Sequence, residues 1–296
     1  MMFLKAFLGD NSFLPSIAQD IAIKCNARLI VYTTEDYYFK KWNYIEPQKK
    51  SITFCIFHNI YKRAIERVFK HACCCITNTP LLSRLYKDTF NIPTNVVMAS
   101  SSIETPRIIN ARSANNLIYA GNLTLNRFKS IIEIADNLAS IDSNKIVEVY
   151  GKADDSIQNA FSEHSNIRYK GFISYEILIE RIQNAFALLH CESFDEFYVK
   201  DLRFAFSTKI VDCLASGVPM LLYAQSCFAE TDYLSTNKAA FVCTNVHELE
   251  VSLSELVLDD KKRQTIVNNA LELARINHNK KNNQIKMLEI LSHKGS

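Results

Sequence analysis

The chain has 296 residues, 48% apolar and 22% charged, with six glycines and six prolines, a balance that excludes disordered, fibrous and low-complexity classes. Its net charge of +3, with both signs interspersed, lacks the clustered basic excess of a nucleic-acid binder. Length alone predicts about two domains. No run approaches the ~18 apolar residues of a membrane span, and Met1–Leu8 is too short for a secretion signal.

Apolar strands alternate with amphipathic helices, which predicts parallel sheets covered on both faces. A helix is expected near Pro15–Lys24, followed by a strand at Ala27–Tyr32 and a second strand within Ser51–Phe57. Asn59–Lys70 reads as a helix, Cys73–Thr77 as a strand, Pro80–Phe90 as a helix and Asn95–Met98 as a short strand. A polar tract from Ser100 to Asn116 is the linker candidate. Beyond it, strands are expected at Leu117–Ala120, Ile146–Tyr150, Ile167–Lys170, Phe186–His190, Pro219–Tyr223 and Ala240–Cys243. Helices are expected at Ser130–Ser140, Asp155–Glu163, Tyr175–Ala185, Thr208–Ala215, Val246–Leu256, Asp260–Ala274 and Lys280–Leu291. The domain reading is therefore residues 1–100, a linker over 101–116, a second domain over 117–274, and a C-terminal helical segment, 275–296, packing back on the first domain.

Nine cysteines are scattered or adjacent, as in Cys73-Cys74-Cys75, and no pair has zinc-site spacing. They are expected to be buried reduced thiols, consistent with a reducing cytoplasm.

Ligands of open parallel sheets bind where strands exit into helices. The exits Gly121-Asn122, with Arg127 following, and Gly151-Lys152 combine close backbone approach with a cation suited to phosphate. Gly171 opens a third exit, with Ser174 as a helix cap. The strongest segment is Phe206–Tyr223. Ser207 or Thr208 can cap a helix there, Gly217 suits its end, and Lys209 stands in the first turn, where a cation opposes the helix dipole. A bound anion would resolve that conflict. Asp212, one turn later on the same side, could hold a ribose, or Lys209 and Asp212 could form an ordinary surface pair. In the polar loop Glu192–Arg203, Glu192, Asp195 and Glu196 are candidates, with a solvated loop as the alternative. Asp36 and His58 are read at strand exits of the first half, His58 as an acid–base candidate.

Through Tyr-Ala-Gly-Asn-Leu (119–123), Tyr-Gly-Lys (150–152), Lys-Gly-Phe-Ile-Ser (170–174) and Lys-Ile-Val-Asp-Cys-Leu-Ala-Ser-Gly-Val-Pro (209–219), the chain resembles the retaining GT-B glycosyltransferases of bacterial surface-polysaccharide assembly. The resemblance implies an α/β protein of two Rossmann-like domains facing across a cleft, the first incomplete, without its opening strand and helix. It implies a nucleoside-diphosphate-sugar donor and a glycan or lipid-linked acceptor. Arg127 and Lys209 would act on the diphosphate, with Gly121, Asn122, Gly151, Lys152, Ser207 and Thr208 around it and Asp212 on the ribose. Asp36 and His58 would lie on the acceptor side. No metal and no cofactor are expected. Neither of the family's paired glutamates is present as such: Asp212 takes the second position and Phe204 the first. An epimerase acting on the donor, and a non-catalytic partner protein, are the rival readings. Cytoplasmic location is expected, with peripheral contact at the inner membrane face through Lys62, Arg63, Arg67 and Lys70.

Overall fold

The computed structural model describes residues 2–9, 13–39, 52–106 and 114–292, without the side chains of Thr53, Phe54 and Asp201. The stretch 107–113 of the expected linker, and Ser51, lie outside the described residues. Two compact units form. One comprises residues 1–99, 201–206 and 281–296; the other comprises 100–200 and 207–280.

The first unit carries four parallel strands, β1 (Phe3–Phe7), β2 (Arg28–Thr33), β3 (Ala72–Thr77) and β4 (Thr94–Val96), in spatial order β1-β2-β3-β4. Helices α1 (Phe13–Lys24), α2 (Ile52–His71) and α3 (Pro80–Phe90) connect them. Two sequence expectations are corrected here. An opening strand is present, because Leu4 and Ala6 pair with β2 and Ala6 and Leu8 join the core, although Lys5 interrupts the apolar run. Where a strand was expected within Ser51–Phe57, the described part, Ile52–Phe57, is instead the beginning of α2, continuous with the amphipathic helix that follows. Consequently His58 lies within a helix, not at a strand exit. Phe204 is buried in this unit's core beside Tyr61, Ile65 and Tyr86. A second cluster, formed by Ile30, Cys74, Ile76 and Val97, is covered by Met287, Ile290 and Leu291.

The second unit holds six parallel strands: β5 (Asn116–Ala120), β6 (Ile146–Tyr150), β7 (Ile167–Gly171), β8 (Ala187–Cys191), β9 (Met220–Tyr223) and β10 (Phe241–Cys243). Its order is β10-β9-β8-β5-β6-β7. The intervening helices are α4 (Arg127–Ile141), α5 (Asp155–Ser162), α6 (Tyr175–Gln183), α7 (Glu196–Leu202), α8 (Thr208–Ala215), α9 (Ala229–Thr236), α10 (Val246–Leu258) and α11 (Asp260–Asn277). A last helix, α12 (Lys280–Ser292), supplies the residues covering the first unit's sheet. Two helices were not expected: α7 forms inside the polar loop, and α9 fills the connection between β9 and β10.

Strands β8 and β9 are buried at every position, as befits a parallel sheet covered on both faces. The chain leaves β5 to one side for β6 and returns to its other side as β8. That reversal is the topological switch point, where the loops after β5 and β8 diverge and leave a crevice.

The thiol expectation holds in part. All nine cysteines are free, but Cys25, Cys55 and Cys227 are exposed.

Candidate functional site at the switch point of the second sheet

Three glycine exits line up along the carboxyl edge. Gly121 N–H donates to Tyr150 O at 2.9 Å, and Gly151 N–H donates to Gly171 O at 3.0 Å. A Cβ on Gly151 would stand 2.1 Å from the Gly121 carbonyl oxygen, so the exits of β5 and β6 are in direct backbone contact.

After Gly121 the chain makes a turn that Asn122 builds. Its carbonyl accepts the Tyr119 hydroxyl at 2.9 Å, and its Oδ1 accepts Thr124 N–H at 2.9 Å. Leu125 and Asn126 follow in the left-handed region, and α4 then starts at Arg127 with no side-chain cap from Asn126. Asn126 instead donates to Asp195 Oδ2 at 3.2 Å.

Arg127 is not a free cation. Its Nε and NH2 groups both reach Glu192 Oε2, at 2.8 and 2.7 Å. Ser130 Oγ donates to the Glu192 carbonyl at 2.8 Å, tying α4 to the β8 exit a second time. Burial opposes the charged form of Arg127, but Glu192 more than offsets this and raises its pKa. Burial likewise works against ionised Glu192, yet His190 and Arg127 hold its pKa below the ordinary carboxylate value. Glu192 is 6% exposed; the solvated-loop reading fails for it, while Asp195 and Glu196 are exposed.

Behind Glu192 stand two residues that the sequence reading did not single out. His190 Nε2 lies 3.6 Å from Glu192 Oε1 and 3.2 Å from Glu230 Oε1, and His190 and Glu230 are 7% and 2% exposed. Burial by itself would lower the imidazole pKa; Glu230 and Glu192 outweigh it and raise the value to about 9. A histidine inside an otherwise apolar, wholly buried strand was the available signal. His190, Glu192 and Glu230 are the one cluster among the described residues with metal-ligand spacing. Arg127 takes Oε2 of Glu192, and Oε1 is the oxygen turned to His190.

Helix α8 begins nearby. Ser207 takes the cap backbone position but its side chain makes no cap hydrogen bond, whereas Asp154, Ser174, Asn245 and Asp259 do cap their helices. Lys209 is exposed in its first turn. Desolvation, then repulsion from Arg127, lowers its pKa, with Glu192 partly opposing. Asp212 makes no ion pair with Lys209; its two oxygens accept Ser101 Oγ and Tyr175 OH, each at 2.7 Å. Burial, together with Asp212, raises the Tyr175 pKa. Lys152 stands at the outer exit, its Nζ 5.9 Å from the Phe172 ring.

The structure thus brings Gly121, Arg127, Glu192 and Lys209 to one place. Gly151 supports it through the Gly121 contact. Asp36 and His58 belong to the other unit. Asp36 is buried and its Oδ1 accepts Phe39 N–H at 3.0 Å, closing the turn after β2. A separate groove of about 600 Å³ runs along α4 between Asn126, Glu133, Asn137 and Phe194; it does not include Lys209 or Asp212.

A parallel sheet with its switch point flanked by cations and by helix starts without side-chain caps is an α/β arrangement suited to an anion. Residues 117–281 match the model of the glucosyltransferase 3-like C-terminal domain, more than half of the chain, and the protein belongs to that glycosyltransferase family. No curated protein sequence matches it. Among solved structures it is similar to HepE from Anabaena in complex with UDP, with 14% identity and a TM-score of 0.70 over 97% of this chain and 78% of that one. It is similar to a sucrose-phosphate synthase from Thermosynechococcus elongatus, with 14% identity and a TM-score of 0.67 over 95% and 71%. It also resembles WaaG, a glycosyltransferase involved in lipopolysaccharide biosynthesis, with 13% identity and a TM-score of 0.59 over 98% and 85%. The shared fold is that of the GT-B glycosyltransferases.

Proposed function

We propose that the protein is a retaining hexosyltransferase that takes a nucleoside-diphosphate sugar at the β5–β8 switch point. The acceptor is a glycan or a lipid-linked glycan in bacterial surface-polysaccharide assembly. One observation carries the reading: Arg127, Lys209 and a protonated His190 face only Glu192 and Glu230, which leaves a surplus positive charge. Beside it are the starts of α4 and α8, neither of which receives a hydrogen bond from its cap side chain, a setting suited to a diphosphate.

In this arrangement Lys209 and the α8 N–H groups neutralise charge developing on the leaving diphosphate. Arg127 uses two donors on Glu192 and keeps the others of its guanidinium for phosphate. Gly121 allows the phosphates close to the backbone, and Asp212 accepts a ribose hydroxyl alongside the two it already holds. No metal enters this scheme. HepE has been solved with UDP and with UDP-glucose, so a uridine nucleotide is the first donor to test.

Calorimetric titration with UDP, GDP and their sugars checks the reading. Saturable binding to one of them is expected, and no binding to any would refute it. Lys209→Ala should weaken that binding by about tenfold, the loss of one charge-assisted phosphate contact, with the melting temperature unchanged. Equal affinity in the variant would remove Lys209 from the site.

A membrane-facing role for the first unit fits a lipid-linked acceptor. No helix among the described residues is long and apolar enough to cross a membrane. Along α2, however, exposed Ile52, Ile56 and Ile60 continue into Arg63, Arg67 and Lys70 on one outward stripe, an apolar-then-basic pattern suited to an anionic surface at the inner face of the cytoplasmic membrane. Co-sedimentation with phosphatidylglycerol vesicles, lost in the triple variant Arg63→Gln, Arg67→Gln, Lys70→Gln, is the expected result. Retention in the supernatant with wild type would argue against it.

Phe204 favours one alternative. Its burial in the first unit's core leaves no carboxylate where the family's first glutamate is expected, as in a protein that binds donor without transferring sugar. UDP binding without turnover on any acceptor would distinguish it.

A further inference from the structure

His190 and Glu230 stand directly behind the residues proposed to hold the donor. The side chains form a series, buried at Glu230 on α9, His190 on β8 and Glu192 at the β8 exit and half-buried at Arg127 on α4, with contacts of 3.2, 3.6 and 2.7 Å. The series spans three parts of the fold, α9, β8 with its exit, and α4, so the guanidinium is held by two segments outside its own helix. The contacts of His190 Nε2 are ion-pair approaches, without the alignment of a hydrogen bond to either carboxylate. A neutral imidazole presenting its lone pair between two buried carboxylates would be repelled by both. A proton on Nε2 turns both contacts attractive, and with two carboxylates flanking one nitrogen the full charge of the imidazolium, rather than the single N–H dipole of the neutral tautomer, is what answers both.

We propose that His190 is a positioning residue, held as an imidazolium between Glu230 and Glu192, and that its charge fixes the carboxylate that aims Arg127 at the donor diphosphate. The positioning role rests on the donor-binding reading above; the imidazolium itself does not. The charged groups around His190 are Glu230 of α9, Glu192 of the β8 exit and, beyond Glu192, Arg127 of α4 and Lys209 of α8. Tyr119 of β5 and the thiols of Cys191 and Cys243 complete the surroundings, and burial raises the pKa of all three, so they stay neutral.

The pH window follows from the direction of the shift. A folded-state value near 9 against an unfolded value of about 6.5 makes this charge stabilising below the unfolded value, and the benefit is lost as pH rises through 9.

The test uses the full-length protein and UDP. Imidazole ¹⁵N spectra of histidine-labelled protein should contain an imidazolium signal that persists at pH 8 and is absent from His190→Gln. A neutral His190 at pH 8 would overturn the proposal whether or not UDP binds. Glu230→Gln removes one of the two carboxylates, and the imidazole then keeps its proton at pH 6 but loses it by pH 8. UDP affinity relative to wild type should be within about twofold at pH 6 and about tenfold lower at pH 8, with thermal melts confirming a folded variant. An equal loss at both pH values would make Glu230 a packing residue and sink the positioning role. Stoichiometric zinc in the purified wild type, removable by chelator, would replace the imidazolium with a metal ligand and overturn the proposal too. Failure of wild type to bind UDP, with the imidazolium signal present, would count against the donor site and the aiming of Arg127 together while leaving the buried charge standing.

Discussion

Glu192→Ala should lower the unfolding free energy of the protein by about 3–5 kcal/mol, the range for breaking a buried ion pair from one side. The carboxylate is the counter-charge of both Arg127 and His190, so its removal leaves a half-buried and a buried cation facing each other across a space that Glu230 alone must balance. Urea unfolding followed by circular dichroism measures the loss. The cause can be separated from lost volume with Glu192→Gln, which keeps the side chain's size, and with the double variant Arg127→Gln, Glu192→Gln. If charge is responsible, the double variant is more stable than the single one, because no orphaned guanidinium remains. A single-variant change below about 1 kcal/mol would mean that water reaches Arg127 freely, contrary to its burial. UDP binding should be lost in both single variants, since a released Arg127 no longer points in a fixed direction.

Gly151→Ala is the second large effect. The added methyl would meet the Gly121 carbonyl oxygen at 2.1 Å, and the residue's φ is +158°, so a side chain is opposed by both space and conformation. Backbone must move, and the backbone in question is the exit that leads to Arg127. A stability loss of about 2–4 kcal/mol is expected, together with weaker UDP binding. Gly171→Ala is the matched comparison. Its φ is +71°, but nothing lies within 4 Å of the new methyl, so only the conformational cost of about 1 kcal/mol applies. Equal losses in the two variants would show that the clash relaxes without consequence.

The second sheet was legible because strands covered on both faces are short continuous apolar runs, and Leu117–Ala120, Ile146–Tyr150 and Pro219–Tyr223 are unambiguous examples. The first strand was not, since an edge strand with Lys5 at its centre looks like neither an apolar run nor an alternation. Ile52–Phe57 misled in the other direction. Its β-forming residue types are overridden by continuity with the amphipathic helix that follows. At the site, Gly121, Arg127 and Lys209 could be found because each stands at a strand exit or helix start. Glu192 looked like one of several loop acids, and only its burial separates it from Asp195 and Glu196. Glu230 was beyond reach: it sits on an unanticipated helix, and its significance comes from a contact 40 residues away in the chain. Long-range pairing of that kind has no local spacing to betray it.

The division of the chain between the two units has a consequence for the order of biosynthesis. The second unit's residues are all delivered once the ribosome has passed residue 280. The first unit, although its strands are translated earliest, waits for Phe204 to complete one side of its core and for Met287, Ile290 and Leu291 to cover the other. Until then Ile30, Cys74, Ile76 and Val97 face water as an apolar sheet surface. The half of the protein made first is therefore the half finished last, and during translation it is the nascent segment most in need of a chaperone.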